Sequence, residues 1–305
     1  MASKSVSVKV HKEPRRRLQS RAHLPYILPT MIVMTLLVGI PIIFVFAISF
    51  TNYTLGPMDF EFVGLLNYER VFFGANPVIY YSLAISIGMV IVCVIIQLVL
   101  GMLSALLLNQ DIKFKGLIIA CLIVPIVMTP SIASLIWNLM LNAEFGVINY
   151  LLDLILGIRV VWLGPDNALL SVLLVNVWHT TPFVTLIMYA GLRSLPMDPY
   201  EAALVDGAHP VQTFFSITLP MLKPLILITI MFRGMDMFRM FDIPFVLTGG
   251  GPGRMTEFIG LLIFRTGFGV NTLVARAASI AVILLIITSI ISILLIFAMR
   301  RSRRD

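Results

Sequence analysis

Residues 78–108 read VIYYSLAISIGMVIVCVIIQLVLGMLSALLL, thirty-one positions without one charged side chain. A helix rising about 1.5 Å per residue crosses a hydrocarbon core of ~30 Å with ~20 mostly apolar residues, so this run is long enough to span a membrane. Five more segments reach that length: roughly 25–50, 116–141, 167–192, 224–247 and 273–299. Together they predict an all-α, polytopic membrane protein with six transmembrane helices. The segment 147–158 (VINYLLDLILGI) is too short to span and carries Asp153, so it reads as an interfacial helix leading into the fourth span.

The whole chain agrees with its longest run. Of 305 residues, 59% are hydrophobic and only 12% charged, against ~45–50% and ~25% in soluble globular domains. Such a composition excludes a disordered protein and a conventional cytosolic enzyme. The net charge of +7 could mean nucleic-acid binding, but much of it lies at the two ends. Lys4, Lys9, Lys12, Arg15, Arg16, Arg17 and Arg21 precede the first run, and Arg300, Arg301, Arg303 and Arg304 follow the last. That is anchoring charge against membrane lipid, with no nucleic-acid partner implied. The chain divides into a basic segment 1–24, a membrane domain 25–299 and a basic tail 300–305.

Orientation follows from the loops. With the N-terminus inside, inner segments hold fifteen Lys and Arg and outer loops five, which predicts both termini in the cytoplasm. The first run exceeds a signal-peptide core and no small-x-small site follows it, so it reads as an uncleaved span. Cys93 and Cys121 lie inside apolar runs and read as small core residues. The glycine-rich turn 249–253 opens an outer loop to about 272, partly apolar, that fits a re-entrant or vestibule-lining segment better than a seventh span.

Charge inside a span is costly and marks a pathway or an internal ion pair. Arg233, Asp236, Arg239 and Asp242 recur at spacing three in the fifth span, where helical neighbours meet. They form either a self-neutralised ladder or a polar strip facing a solvated cavity. In the fourth span Asn176, His179, Thr180 and Phe183 share one helical face beside Pro182. The bland reading is a proline kink whose freed carbonyl is satisfied by Thr hydroxyls. The sharper one is a face suited to a polyhydroxyl ligand, which needs both hydrogen bonds and ring stacking. Pro125, Thr129, Pro130 and Ser131 make the third span a second kinked helix. No catalytic set, no metal-ligand spacing and no phosphate-binding Gly-x-x-x-x-Gly-Lys-Ser/Thr loop occurs, so energy for uphill transport would come from another chain.

Between the fourth and fifth spans, 193–223 reads RSLPMDPYEAALVDGAHPVQTFFSITLPMLK. Asp198 is a plausible N-cap, Pro199 takes the first helical position, and Tyr200–Asp206 forms a short helix stopped by Gly207. A second helix is expected from Pro210 to Leu219-Pro220. Two folded elements with small alanines facing out suggest a docking helix. The run Glu201-Ala202-Ala203, three residues, Gly207, nine residues, then Ile217-x-Leu219-Pro220 resembles the EAA loop of permease subunits in binding-protein-dependent ABC importers. Phe62-Val63-Gly64-Leu65-x-Asn67-Tyr68 and the stretch from Phe241-Asp242 through Gly250-Gly251-Pro252 resemble the maltose-transporter-like first permease of the carbohydrate-uptake branch.

The resemblance implies a type I ABC importer permease fold in a prokaryotic cytoplasmic (inner) membrane. It implies a second homologous permease as heterodimer partner, two cytoplasmic ATPase subunits and an extracytoplasmic solute-binding protein. This chain would hold no cofactor of its own, with ATP and Mg on the ATPases, and would not be an enzyme. Glu201, Ala202, Ala203, Asp206 and Gly207 would couple to the ATPase. Ser131, Asn176, His179, Thr180, Phe183, Arg233, Met237 and Met240 would face the substrate pathway. The chain departs from the maltose pattern where Met237 and Met240 replace amides and Arg233 replaces a small hydroxyl, which leaves a neutral sugar, a polyol and an anionic sugar derivative open. An ion-gradient-driven secondary transporter is the alternative; the interleaving of acids with arginines speaks against it.

Overall fold

A computed structural model describes residues 24–56, 60–74, 78–270 and 272–302. The basic N-terminal cluster Lys4 to Arg21, together with Arg303 and Arg304, lies outside the described residues. The described chain is helical apart from loops and one isolated bridge, Thr51 to Phe62. Five helices are long and apolar enough to cross a membrane, and a bent pair makes a sixth if it counts as one span.

The first span comprises α1 (Leu24–Met34), a single π turn (Thr35–Gly39) and α2 (Ile40–Ile48). In that turn the Ile40 N–H reaches back five residues to Thr35 O, immediately before Pro41. The same device recurs where α10 (Pro210–Thr213) passes through a π turn (Phe214–Thr218) into α11 (Leu219–Phe238): Leu219 N–H meets Phe214 O just before Pro220. A proline ring clashes with the carbonyl four residues earlier, and a widened turn removes the clash without ending the helix. The second inner-loop helix expected from Pro210 is therefore the start of the fifth span, not a separate element.

After the first span, α3 (Leu66–Phe73) folds back on its end. Asn67 Nδ2 donates to Ser49 O (2.9 Å) and Thr51 O (2.7 Å), and the Tyr68 hydroxyl lies 2.8 Å from Ser49 Oγ. The Phe-Val-Gly-Leu-x-Asn-Tyr motif thus closes the carbonyls left open where the helix stops. The second span is α4 (Val78–Asn109) and the fourth α8 (Ala168–Arg193). These two run parallel, since Gln97 meets Asn176 and, further along both, Gly101 meets Val184. Gly101 is a close-approach site: a Cβ there would lie 2.7 Å from Val184 Cγ1 and 3.2 Å from Thr185 N.

The segment expected as the third span is bent more sharply than a kinked helix. α5 (Lys115–Val127) and α6 (Pro130–Met140) meet at 99°. Pro130 forces Thr129 into extended backbone, and the Thr129 hydroxyl then accepts the Ile132 N–H as an N-cap. The fifth span is also interrupted, because α11 stops at Phe238 and α12 (Asp242–Thr248) starts a new axis. The four charges at spacing three therefore do not form one ladder.

α7 (Val147–Leu156) and α13 (Ile259–Phe268), ten residues each, are too short to span. Buried Asn149 holds α7 in place by donating to Val160 O (2.9 Å) and accepting from Val160 N–H and Trp162 Nε1 (both 3.1 Å). The last span is α14 (Val274–Ser302). Its Ile280, Ile283 and Leu284 pack with Val71, Ile79, Phe238 and Leu262 in one apolar cluster. A second cluster joins Met89 and Cys93 to Val172, Val175, Met237 and Met240. Cys121, by contrast, is exposed on α5, where only Pro125 is buried. Lipid and core are both apolar, so an apolar run does not reveal which face it buries.

Candidate functional site

Polar side chains from three long helices converge near mid-bundle. Gln97 is the twentieth residue of α4 and is fully buried; no sequence argument singled it out. Its Nε2 donates to Asn176 Oδ1 (2.8 Å) on α8, and its Oε1 accepts from Arg233 Nε (3.0 Å) on α11. Arg233 also donates to Asp236 Oδ2 (2.8 Å) and to Thr180 Oγ1 (3.1 Å). Thr180 in turn donates to Asn176 O (2.7 Å), and Asn176 Nδ2 to Met240 Sδ (3.4 Å). A buried guanidinium is tolerated when its donors are satisfied in place, and here Nε, Nη1 and Nη2 each have an acceptor. A lone glutamine in a charge-free 31-residue run was the signal that could have revealed Gln97.

This network walls a cavity of about 350 Å³. Asn176, His179 and Thr180 line one side and Arg233, Asp236, Met237 and Met240 another. The Arg239–Phe241 turn and Asp242 complete the wall, so the break between α11 and α12 opens the space. Only 5% of the Arg233 side chain is exposed, against 63% of Asp236 and 69% of Arg239. Arg239 stands 3.9 Å from Asp236. Asp242 accepts from Ser131 Oγ (3.0 Å) on α6. The ladder is thus real between Arg233 and Asp236, loose at Arg239 and absent at Asp242, which turns to the third span. Two arginines and two aspartates leave the wall without net charge.

Six of the eight residues expected on the pathway line this cavity, and a seventh, Ser131, touches it through Asp242. Phe183 does not. It shares the Asn176 face of α8 but lies two turns further along, outside the cavity wall, and is 38% exposed. His179 Nε2 stands 3.1 Å from Met128 O, a carbonyl left free by the α5–α6 break. The Thr hydroxyls do not repair the carbonyl freed by Pro182 as expected. Thr180 takes Asn176 O, Thr185 takes Thr181 O (3.0 Å), and buried Thr181 Oγ1 has no partner among the described residues.

At the opposite end of α8, the 193–223 loop presents α9 (Asp198–Val205). Met197, not Asp198, is the N-cap, and Asp198 and Pro199 open the first turn, where a carboxylate suits the helix dipole. Gly207 at φ +71° ends it: Ala208 N–H returns to Ala203 O (2.9 Å) and Gly207 N–H to Leu204 O (3.1 Å). That is a Schellman closure, and it needs a residue at ease in the left-handed region. Tyr200 donates to Thr218 Oγ1 (3.0 Å), tying α9 to the start of the fifth span. Ala203 is buried, contrary to the expectation that both alanines face out, while Ala202, Glu201 and Asp206 are exposed. The apolar surface that α9 offers comes instead from Leu204 (79% exposed) and Val205 (86%).

A broken-helix bundle with a polar cavity at its centre and an ordered helix on one loop defines a polytopic transport permease. The family model for the binding-protein-dependent transport system inner membrane component matches residues 97–304, and the chain belongs to that family. It is similar to the trehalose/maltose transport system permease protein MalF of Thermococcus litoralis, 40% identical over 78% of this chain and 81% of that one. It is also similar to the probable ABC transporter permease protein y4oQ of Sinorhizobium fredii, 36% identical over 94% and 93%. The fold matches a chain from the crystal structure of a bacterial ABC transporter involved in the import of the acidic polysaccharide alginate. That match has a TM-score of 0.78 at 19% identity and covers 93% and 96% of the two chains.

Proposed function

We propose that this chain is the permease subunit of an ATP-driven importer that carries a neutral sugar or polyol through the Asn176–Arg233 cavity. The observation that carries the reading is the charge balance of that cavity. Arg233, the only buried cation among the residues that line it, donates to Gln97, Asp236 and Thr180, and the Asp236 carboxylate balances its charge. A guanidinium already paired with its own carboxylate offers less to an anionic solute, whereas Asn176, Thr180 and the carboxylates of Asp236 and Asp242 suit hydroxyl groups. The trehalose/maltose relative supports the same substrate class.

In this reading both termini and the 193–223 loop face the cytoplasm, and the spans are six. The solute enters from an extracytoplasmic binding protein, and a second, homologous permease completes the pore. Two ATPase subunits, which carry ATP and Mg, engage α9 through Leu204, Val205 and the exposed Glu201. Closure of the ATPases moves α9, and the bond from Tyr200 to Thr218 passes that movement to the fifth span, whose far end carries Arg233. The test is uptake by proteoliposomes holding the complete complex, offered trehalose, sorbitol and a uronic-acid disaccharide. Uptake of a neutral solute, and not of the uronate, is expected. Preference for the uronate would overturn the substrate assignment, and concentrative uptake without ATP would overturn the importer class.

A further inference from the structure

A second cavity, of about 330 Å³, opens at the end of the bundle opposite α9. Arg70 on α3, Arg254 in the loop before α13, Arg265 on α13 and Arg276 on α14 line it, with Glu257 the one acid among its lining residues. Four guanidiniums against one carboxylate leave three positive charges. Glu257 is buried: its Oε1 accepts from Arg265 (3.2 Å), and its Oε2 lies 3.4 Å from Arg254 Nε without a hydrogen bond among the described residues. Arg265 further donates to Gly249 O. Arg70 and Arg276 have no acid within ion-pair distance among the described residues. The Arg276 Nε is buried in the protein without a hydrogen-bond partner there.

We infer that this pocket binds the headgroup of an anionic phospholipid, its phosphodiester held by Arg70 and Arg276. The position favours lipid over a protein carboxylate. Val78 is the first residue of α4 and Arg276 the third of α14, so the pocket sits where two spans enter the hydrocarbon, the level at which headgroups lie. Its walls continue into apolar surface: Val78 and Ile280 line it, and Phe73, Phe268 and Val270 nearby are all exposed. A charged head followed by acyl chains fits guanidiniums backed by such a surface, whereas a soluble partner would meet a polar rim.

The test is native mass spectrometry of the full chain, purified in neutral detergent and given equal amounts of dioleoyl phosphatidylglycerol and dioleoyl phosphatidylcholine. Wild-type protein is expected to retain phosphatidylglycerol over phosphatidylcholine by about tenfold or more. Arg70→Gln/Arg276→Gln should abolish that preference. Arg70→Gln alone, at an exposed position of α3, should weaken it. Arg159→Gln, which breaks an exposed pair with Asp153 elsewhere, should leave it unchanged. Equal retention of both lipids, or a preference that survives the double variant or is lost with Arg159→Gln, would overturn the inference. Displacement of phosphatidylglycerol by millimolar inorganic phosphate would make the pocket a small-anion site, and protection of Arg276→Cys from thiol labelling by the cognate solute-binding protein but not by lipid would make it a protein-docking site; either result overturns the lipid assignment.

Discussion

Arg233 Nε donates to Gln97 Oε1 at 3.0 Å, joining α11 to α4 across the middle of the bundle. Gln97 in turn holds Asn176, so one amide fixes the distance between three helices. Gln97→Leu removes an acceptor from a buried cation and a donor from Asn176, at a cost of about 1–3 kcal/mol for each group left unsatisfied. Thermal unfolding in detergent should fall by several degrees and uptake should drop strongly. An unchanged midpoint would mean that the amide does not order the bundle.

Arg233 serves three acceptors at once through a planar fork, which an ammonium cannot reproduce. Arg233→Lys should therefore lose most transport activity although it keeps the charge. Arg239→Gln, on an exposed side chain 3.9 Å from its acid, should change transport by no more than about twofold, as expected for exposed pairs. Measured uptake rates for the two variants should differ widely; equal losses would indicate that net charge alone matters.

Gly101 lets α4 and α8 approach closely. A Cβ would fall 2.9 Å from Val184 Cβ, an atom fixed to the backbone that cannot swing aside. Gly101→Ala should destabilise the protein by about 1–3 kcal/mol through overpacking, despite the helix propensity that alanine adds. A rise in the unfolding midpoint would count against the packing of these two helices.

Asn149 makes the contacts that hold α7 against the 160–162 segment, among them the acceptor for Trp162 Nε1. Asn149→Ala should release that segment. Tryptophan emission should shift to the red while the cavity residues keep their arrangement and uptake stays within about threefold of wild type, a change of less than one kcal/mol. Unshifted emission would place the restraint elsewhere.

Leu204 and Val205 are large apolar side chains held out from α9 by a Schellman turn. Leu204→Asp/Val205→Asp should abolish co-purification of ATPase subunits and transport together, leaving membrane insertion intact. Gly207→Ala should weaken the same readouts by less, since αL backbone costs a non-glycine residue about 1–2 kcal/mol and no atom crowds the site. Retention of the ATPase by the double variant would remove α9 as the docking element.

Five helices long and apolar enough to span were legible in the sequence because length and apolarity are all that crossing a bilayer demands. Their breaks were legible only in part. Pro130 and Pro182 advertised kinks, but only the former breaks its helix, since Pro182 lies within the continuous α8. The break at Arg239–Phe241 carries no proline or glycine of its own, but Pro244 in the first turn of α12 bars the Met240 carbonyl from a continuous helix, a signal that the regular spacing of the charges obscured. The α9 helix was readable from Pro199 and Gly207, whereas the inward turn of Ala203 was not, because it depends on what α9 lies against. Of the cavity, the charged and amide residues announced themselves by their cost in a membrane. Phe183 lies outside the cavity because a shared helical face says nothing about depth, and Gln97 was overlooked because one amide in a long apolar run does not alter the hydropathy of the span.

The most direct test of the account places ATP on one side of the membrane at a time. Proteoliposomes holding the complete complex, sorted by the side on which Leu204→Cys is open to a membrane-impermeant thiol reagent, are loaded with ATP either inside or outside. The account predicts solute accumulation only when ATP is on the face that exposes residue 204, with transport directed towards that face. Accumulation driven by ATP on the other face, or by an ion gradient with no ATP at all, would contradict it.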